Sequence, residues 1–401
     1  MHGDCIAVNS LTLNLKKLTQ FFSNQRNVFL LGLVVAFVAT LLEVIRGRAS
    51  NYYVYSDATR MIWDGISPYT EQFVSAHGRY FLYLPPFSVI FAPILLLPAW
   101  LGPFVWNIGN YVLMFLAIAT LPPRLRPYRN SIFLFMLPIL LQSIFCYQYN
   151  VIVCYIFVFA FTLLERGKGL WAVLLIMLSA CTKFYGIVEL ALLFCYPKAW
   201  RNFGFAILCG ALMLALPILP ALVNGASATA AGGPAEWVLS LYSQMVDISN
   251  THHDACDYVG LLFARGLKPF LLPNYRLVQV CVLAVLAVIF FAMYRRWGDL
   301  RFRIQAMAAL TGYVILFSDC PETHTYIIAM PFWLMAFWLQ PRRTWIDWTL
   351  FWLVFVNFSI LPTDVLCPPK VHDFIHQTFW LDVYSFTLCW LLNIYYAVRT
   401  R

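Results

Sequence analysis

Charge is what this sequence has least of. Only 11% of its 401 residues are Asp, Glu, Lys or Arg, while 62% are hydrophobic. No single core at that length can bury so much apolar surface, which excludes a soluble globular domain. Paired cysteine spacing is missing as well. The eleven cysteines contain no C-x-x-C pair and most lie in apolar runs, so neither a zinc ribbon nor a disulfide framework is expected; Cys256, Cys320 and Cys367 alone could meet outside such runs. There is no Walker loop, dinucleotide fingerprint or nucleophile elbow. The 27 lysines and arginines form no stripe with interleaved aromatics, so the formal charge of +9 does not signal nucleic acid.

What the sequence has in abundance is apolar runs near the roughly 20 residues that a helix needs to cross a hydrocarbon core of roughly 30 Å. They predict an all-α polytopic membrane protein with about twelve transmembrane helices in one domain over 1–401. The expected spans are 28–45, one within 86–121, 131–147, 151–164, 170–181, 184–194, 203–223, 277–294, 304–317, 326–339, 345–361 and 379–398. The first ends in "EVIRGR" with no small-residue cleavage site, so it reads as a retained span following a cytoplasmic segment, 1–27. The stretch 86–121 is broken by "PAWLGP" and reads as one crossing plus an interfacial piece.

Small basic groups mark alternate loops. Placing them in the cytoplasm puts 18 of the 27 basic residues, and both termini, on that side. The opposite side then receives 47–85, the large loop 224–276, 318–325 and 362–378, with six of the seven histidines and 11 of the 18 carboxylates. A partition of that kind suggests a polar extracytoplasmic site.

Residues 51–66 permit a short helix, stopped at Pro68, on which Asp57, Arg60 and Asp64 share a face. That pattern suits a solvated ion-paired helix as well as a site. Tyr80 and Tyr83 suit a membrane interface, and Pro85–Pro86 opens an apolar helix. Gln148 and Asn150 place amides at the outer end of a helical hairpin, either joining helices or touching a ligand. Lys183, between two apolar stretches and followed by Glu189, must face a cavity or a partner, because an ionisable group inside a membrane is expensive. His252, His253, Asp254 and Asp257 cluster in the second large loop, and His372 and His376 have i,i+4 spacing, but neither group completes a metal site. Asp319, Glu322 and His324 form a tight outer turn.

In order along the chain, an aspartate after the first span, "GISPY", "YLPPFSVIFAPILLLP", "YQYN" near "ERGKG", "SACTKFYGIVEL" and "SDCPETHTYIIAMP" resemble the polyprenyl-phosphate-dependent glycosyltransferases of the C-type superfamily. The resemblance covers about 28–340 and is nearest the branch of the mycobacterial polyprenol-phosphate-mannose-dependent mannosyltransferase. Relatives commonly have Gly-Gln-x-Asn where this chain has Tyr147-Gln148-Tyr149-Asn150. The resemblance implies a multispanning enzyme of a bacterial plasma membrane. It would transfer a hexose with inversion from a polyprenyl-phosphate donor to a lipid-linked or glycan acceptor, without metal or other cofactor. Asp57 is then the expected general base, His324 an expected lining residue, and Arg60, Lys183 and His324 the candidates for the donor phosphate, with Gln148 and Asn150 beside them. Asp64, Arg79 and His252 are candidate supporting residues. The rival reading is a transporter or lipid-linked-sugar flippase, which would also keep intramembrane ionisable groups; internal repeats would favour it, and none is visible. A polysaccharide polymerase or ligase would share the outward loops.

Overall fold

The computed structural model describes residues 20–223, 232–255, 275–318, 323–359, 368, 370–371, 374 and 381–399, the side chains of 252–255, 275, 323 and 382 excepted. Among the described residues the regular structure is helical, with no strand. Four stretches are long and apolar enough to cross a membrane: Gln25–Ile45, Gly102–Ala119, Pro123–Phe145 and Ala199–Val223. They coincide with four of the twelve expected spans.

Helix α1, Gln25–Ile45, illustrates the logic. The Asn24 side chain caps its start by accepting from the Arg26 amide. Val28, Gly32, Ala36 and Ala39 recur at helical spacing and are buried, while Val34, Val38, Leu41 and Ile45 are exposed. An apolar exposed face of this extent suits lipid. Gly32 admits the Tyr111 ring, whose hydroxyl donates to the Phe29 carbonyl at 2.9 Å. One turn further, Asn107 donates to Thr40 and to the Ile144 carbonyl, both at 3.0 Å, so a single amide ties three helices.

The interrupted stretch after Pro86 resolves into two short helices, Pro86–Ile90 and Ala92–Leu95, and one long helix, Gly102–Ala119. It therefore contains one helix of spanning length.

Other expected spans are shorter. Helix α2, Asn150–Glu165, is buried along nearly its whole length, and sixteen residues extend only about 24 Å. Enclosed by protein, it can begin below the level where a lipid-facing helix must begin. The expected span 184–194 is a run of 3-10 turns, Phe184–Cys195. Gly186 lies against the helix Gly169–Ala180, where a Cβ would sit 2.7 Å from the Ile176 carbonyl oxygen and closer still to the Ala180 amide.

The two ends of the bundle differ chemically. At the end bearing the basic loops, arginines satisfy carbonyls left open at helix C-termini: Arg166 donates to Thr120 at 2.8 Å, Arg129 to Leu121, Arg343 to Phe337 and Trp338, and Arg296 to Ala397. There too Arg303 forms a forked pair with Glu165, at 2.6 and 2.8 Å, and Tyr196 donates to the same carboxylate at 2.5 Å. The opposite end carries a cavity.

One expectation is corrected. The short helix of the first loop is Ser50–Trp63, hereafter α3; it stops at Asp64 and Gly65, whose φ is +73°, before Pro68 is reached. Of the cavity and the partner left open for Lys183, the partner is not Glu189, which is fully buried with both carboxyl oxygens unbonded among the described residues, while Lys183 donates to Asn150. Tyr83 packs among Tyr55, Phe87 and Tyr149, with centroids 4.6–5.2 Å away. One helix went unforeseen: Pro234–Ala255, in the second large loop, which buries Trp237, Leu241 and Ile248 along one side.

Candidate functional site

A cavity of about 920 Å³ opens at the end of the bundle away from the basic loops. Its walls come from distant parts of the chain. Helix α3 contributes Asn51, Val54 and Tyr55; the segment after it contributes Arg79, Tyr80 and Tyr83; the hairpin supplies Gln148 and Asn150; and the 3-10 run begins with Lys183 and Tyr185. Ser249, Gln279, Tyr313 and Thr325 close the far side.

Lys183 is placed by the turn that precedes it. Thr182 is fully buried; its carbonyl accepts from the Leu84 amide at 3.1 Å and its hydroxyl meets the Tyr149 hydroxyl at 2.5 Å. The ammonium donates to Asn150 Oδ1 at 2.8 Å and lies 4.7 Å from the Tyr185 ring centre, a cation–π distance. Asn150 in turn donates to Thr325 at 3.3 Å.

The hairpin that presents these amides turns at Tyr147, whose φ is +53°. This is the position where relatives were expected to have glycine, and the backbone is in the left-handed region that glycine tolerates best. A tyrosine holds the same turn here, its ring fully buried at 6.3 Å from Tyr52.

Arg79 is the second cation. Its Nη1 donates to Asn51 Oδ1 at 2.5 Å, and Asn51 Nδ2 donates to the Cys146 carbonyl at 2.6 Å. The amide is therefore fixed at both ends and orients the guanidinium from below. Among the described lining residues, Arg79 and Lys183 are cationic and none is acidic.

Asp57 lies on α3, one turn beyond Val54 and on the flank of the cavity-facing side; it is not itself in the lining. Its side chain is 39% exposed, with Arg60 donating to Oδ1 at 3.1 Å and His77 Nε2 lying 3.8 Å from Oδ2. Helix α3 is anchored by an aromatic cluster and by Tyr52, whose hydroxyl donates to the Ile94 carbonyl at 3.0 Å. Burial pushes the Tyr52 phenol up to about 12, so it remains a neutral donor. Gly102 gives that hydroxyl room, since a Cβ there would collide with it.

Of the residues singled out in the sequence, Arg79, Gln148, Asn150 and Lys183 converge on the cavity, whereas Asp57 and Arg60 pair with each other outside its lining. His324 stands next to the lining residue Thr325, with Nε2 3.1 Å from Cys146 Sγ. Asp64 is exposed at the C-cap of α3 and takes no part in the Arg60 pair. The His252 side chain lies outside the described residues, as do Asp257, Asp319, Glu322, His372 and His376. Sequence reasoning missed Asn51, Tyr55, Ser249, Gln279 and Tyr313. Only Asn51 and Tyr55 carried a signal, as polar and aromatic neighbours of Asp57 on one helix.

A cavity lined by polar and aromatic side chains, Arg79 and Lys183 among them, thus lies at one end of an apolar helical bundle. The model of glycosyltransferase family 87 matches residues 81–318, more than half of the sequence, and the chain belongs to that family. It is thus a membrane glycosyltransferase, acting on a sugar donor and an acceptor. The matched region includes Gln148, Asn150 and Lys183 and leaves Asp57, Arg79 and His324 outside. No curated protein matches the chain.

Proposed function

We propose that the chain transfers a hexose, with inversion, from a polyprenyl-phosphate donor to a lipid-linked or glycan acceptor at the extracytoplasmic face of the membrane. The observation that carries this reading is the pair of cations, Arg79 and Lys183, held by the amide oxygens of Asn51 and Asn150 in the wall of one cavity. Such a cavity suits a phosphate and the hydroxyl-rich sugar attached to it.

The reaction follows from the groups at hand. The acceptor hydroxyl loses its proton to the Asp57 carboxylate, its oxygen forms a bond to the anomeric carbon, and the bond from that carbon to the phosphate oxygen breaks. The electron pair leaves with the polyprenyl phosphate, whose added charge Arg79 and Lys183 stabilise. A positioned base contributes typically 10²–10⁴-fold and a fixed cation or donor about 10²–10³-fold. One carboxylate suffices, because no glycosyl-enzyme intermediate has to form.

The lipid form of the donor is supported by topology. Nucleotide sugars are cytosolic, so a site opposite the basic loops needs a donor that has already crossed the membrane. Mannose is the sugar favoured by the resemblance to the mannosyltransferase branch.

The test is a screen of polyprenyl-phosphate hexoses with membranes containing the protein, followed by mass analysis of the product. Transfer from one donor, lost in Asp57→Asn, is expected. Absence of transfer from every donor of this class would overturn the reading, and full activity in Asp57→Asn would remove Asp57 from the base role.

A further inference from the structure

The two oxygens of Asp57 have different surroundings. Oδ1 accepts from Arg60 at 3.1 Å and lies 3.5 Å from the Ser56 hydroxyl, both groups of the same helix. Arg60 is a permanent cation that never accepts a proton. Oδ2 faces His77, which comes from a separate helix, Glu71–His77. Of the two, Oδ2 is the oxygen that faces an imidazole.

His77 is held in place by its own element. Thr70 caps the helix by accepting from the Phe73 amide, and Phe73, buried to 3% exposure, packs its ring 4.3 Å from the imidazole. The helix ends in Gly78 at φ +63°, and the next residue is Arg79 in the cavity wall. One three-residue turn therefore sets His77 against Asp57 and Arg79 against Asn51, six residues apart on α3. Among the described residues, the charged groups facing His77 are Asp57 and, behind it, Arg60, both on α3; on its own helix Glu71 stands at the opposite end, and Arg79 is turned toward Asn51.

We infer that His77 is a positioning residue for Asp57: its Nε2–H donates to Oδ2 and holds the carboxylate toward the acceptor. This rests on the reading of Asp57 as the base. In the step, the acceptor O–H bond breaks and its proton bonds to the Asp57 carboxylate, which afterwards releases it to water, while His77 keeps its own proton and holds the carboxyl group in place. The resting separation of 3.8 Å is long for a hydrogen bond, and catalytic contacts of this kind commonly tighten only with substrate bound. The same turn links the base to the phosphate-binding cation, so acceptor and donor groups are set by one piece of backbone.

The experiment compares wild type, His77→Phe, His77→Gln and Asp57→Asn, each as the full chain in membranes, using the polyprenyl-phosphate hexose that wild type accepts. Phenylalanine keeps the ring on Phe73 and removes the nitrogen; glutamine keeps an N–H near Nε2. Expected is a kcat lowered about 10²-fold in His77→Phe with donor KM unchanged. His77→Gln should recover to within about tenfold of wild type, because the N–H toward Oδ2 is restored. Wild-type kcat in His77→Phe, or no recovery in His77→Gln, with Asp57→Asn inactive, would overturn the role of His77 and leave the base standing. Activity in Asp57→Asn, or no transfer by wild type from any such donor, would defeat the reading underneath and this inference with it.

Discussion

Lys183 Nζ donates to Asn150 Oδ1 across 2.8 Å, joining the start of a 3-10 run to the start of the most enclosed helix of the bundle. The contact puts a cation at the cavity wall. Lys183→Met, similar in length and uncharged, is expected to lower kcat by about 10²–10³-fold while the protein still inserts and folds. Transfer assays at saturating donor check this, and unchanged kcat would take Lys183 out of the phosphate role.

Arg79 offers a cleaner separation of charge from hydrogen bonding. Arg79→Gln retains a donor toward Asn51 and loses the cation, so the donor KM should rise about tenfold or more, the value of a charge-assisted hydrogen bond. Asn51→Leu should produce a similar rise through a different cause, since it releases the guanidinium from its anchor on the Cys146 carbonyl. Steady-state kinetics on both variants read the two effects side by side.

Gly186 has no room for a side chain. A Cβ would press on the backbone of Ile176 and Ala180, and backbone cannot move aside as a side-chain tip can. Gly186→Ala should therefore cost about 1–3 kcal/mol and displace Lys183, three residues away. A lowered thermal midpoint in detergent, together with reduced kcat, is the expected readout.

The Arg303–Glu165 pair and Glu189 make a contrasting set. Side chains of the pair are 11% and 12% exposed, and Arg303→Ala would leave a largely buried carboxylate with Tyr196 as its one donor among the described residues, at a cost of about 3–5 kcal/mol. Glu189→Gln removes an acid that has no hydrogen bond among the described residues, and the melting temperature and activity should stay near wild type. Thermal unfolding of the two variants in one detergent distinguishes them.

Orientation is open to direct test. Ser75 is exposed on the helix that carries His77, and Arg342 is exposed in a basic loop at the other end. Ser75→Cys should react with a membrane-impermeant maleimide in intact cells, and Arg342→Cys only after lysis. The reverse pattern would invert the topology.

Much of the candidate site was visible along the chain because its parts are local. Gln148, Asn150 and Lys183 stood out as polar groups within apolar runs, and each lies in the cavity wall. Asp57 and Arg60 are three residues apart on a helix, a spacing that already places them together, and they do pair. The Lys183–Glu189 relation could not be read that way. Both interrupt the same apolar stretch, but the 3-10 run turns Glu189 into the packed interior and leaves Lys183 at the rim. Helix Pro234–Ala255 was missed because its buried residues are sparse and its exposed ones mix polar side chains with Leu239 and Val246, which blurs the helical period.

The sequence by itself determined that this is a helical membrane protein with chemically distinct ends, since run length, composition and the distribution of arginine and histidine are properties of the chain before it folds. Only the tertiary structure decided which polar groups meet. Asn51, Arg79, Lys183, Ser249 and Gln279 surround one cavity although they span more than two hundred residues, and the packing of whole helices against each other sets those distances. No local periodicity encodes that packing. The same holds for His77, an unremarkable histidine at the end of a seven-residue helix until the fold sets it 3.8 Å from Asp57.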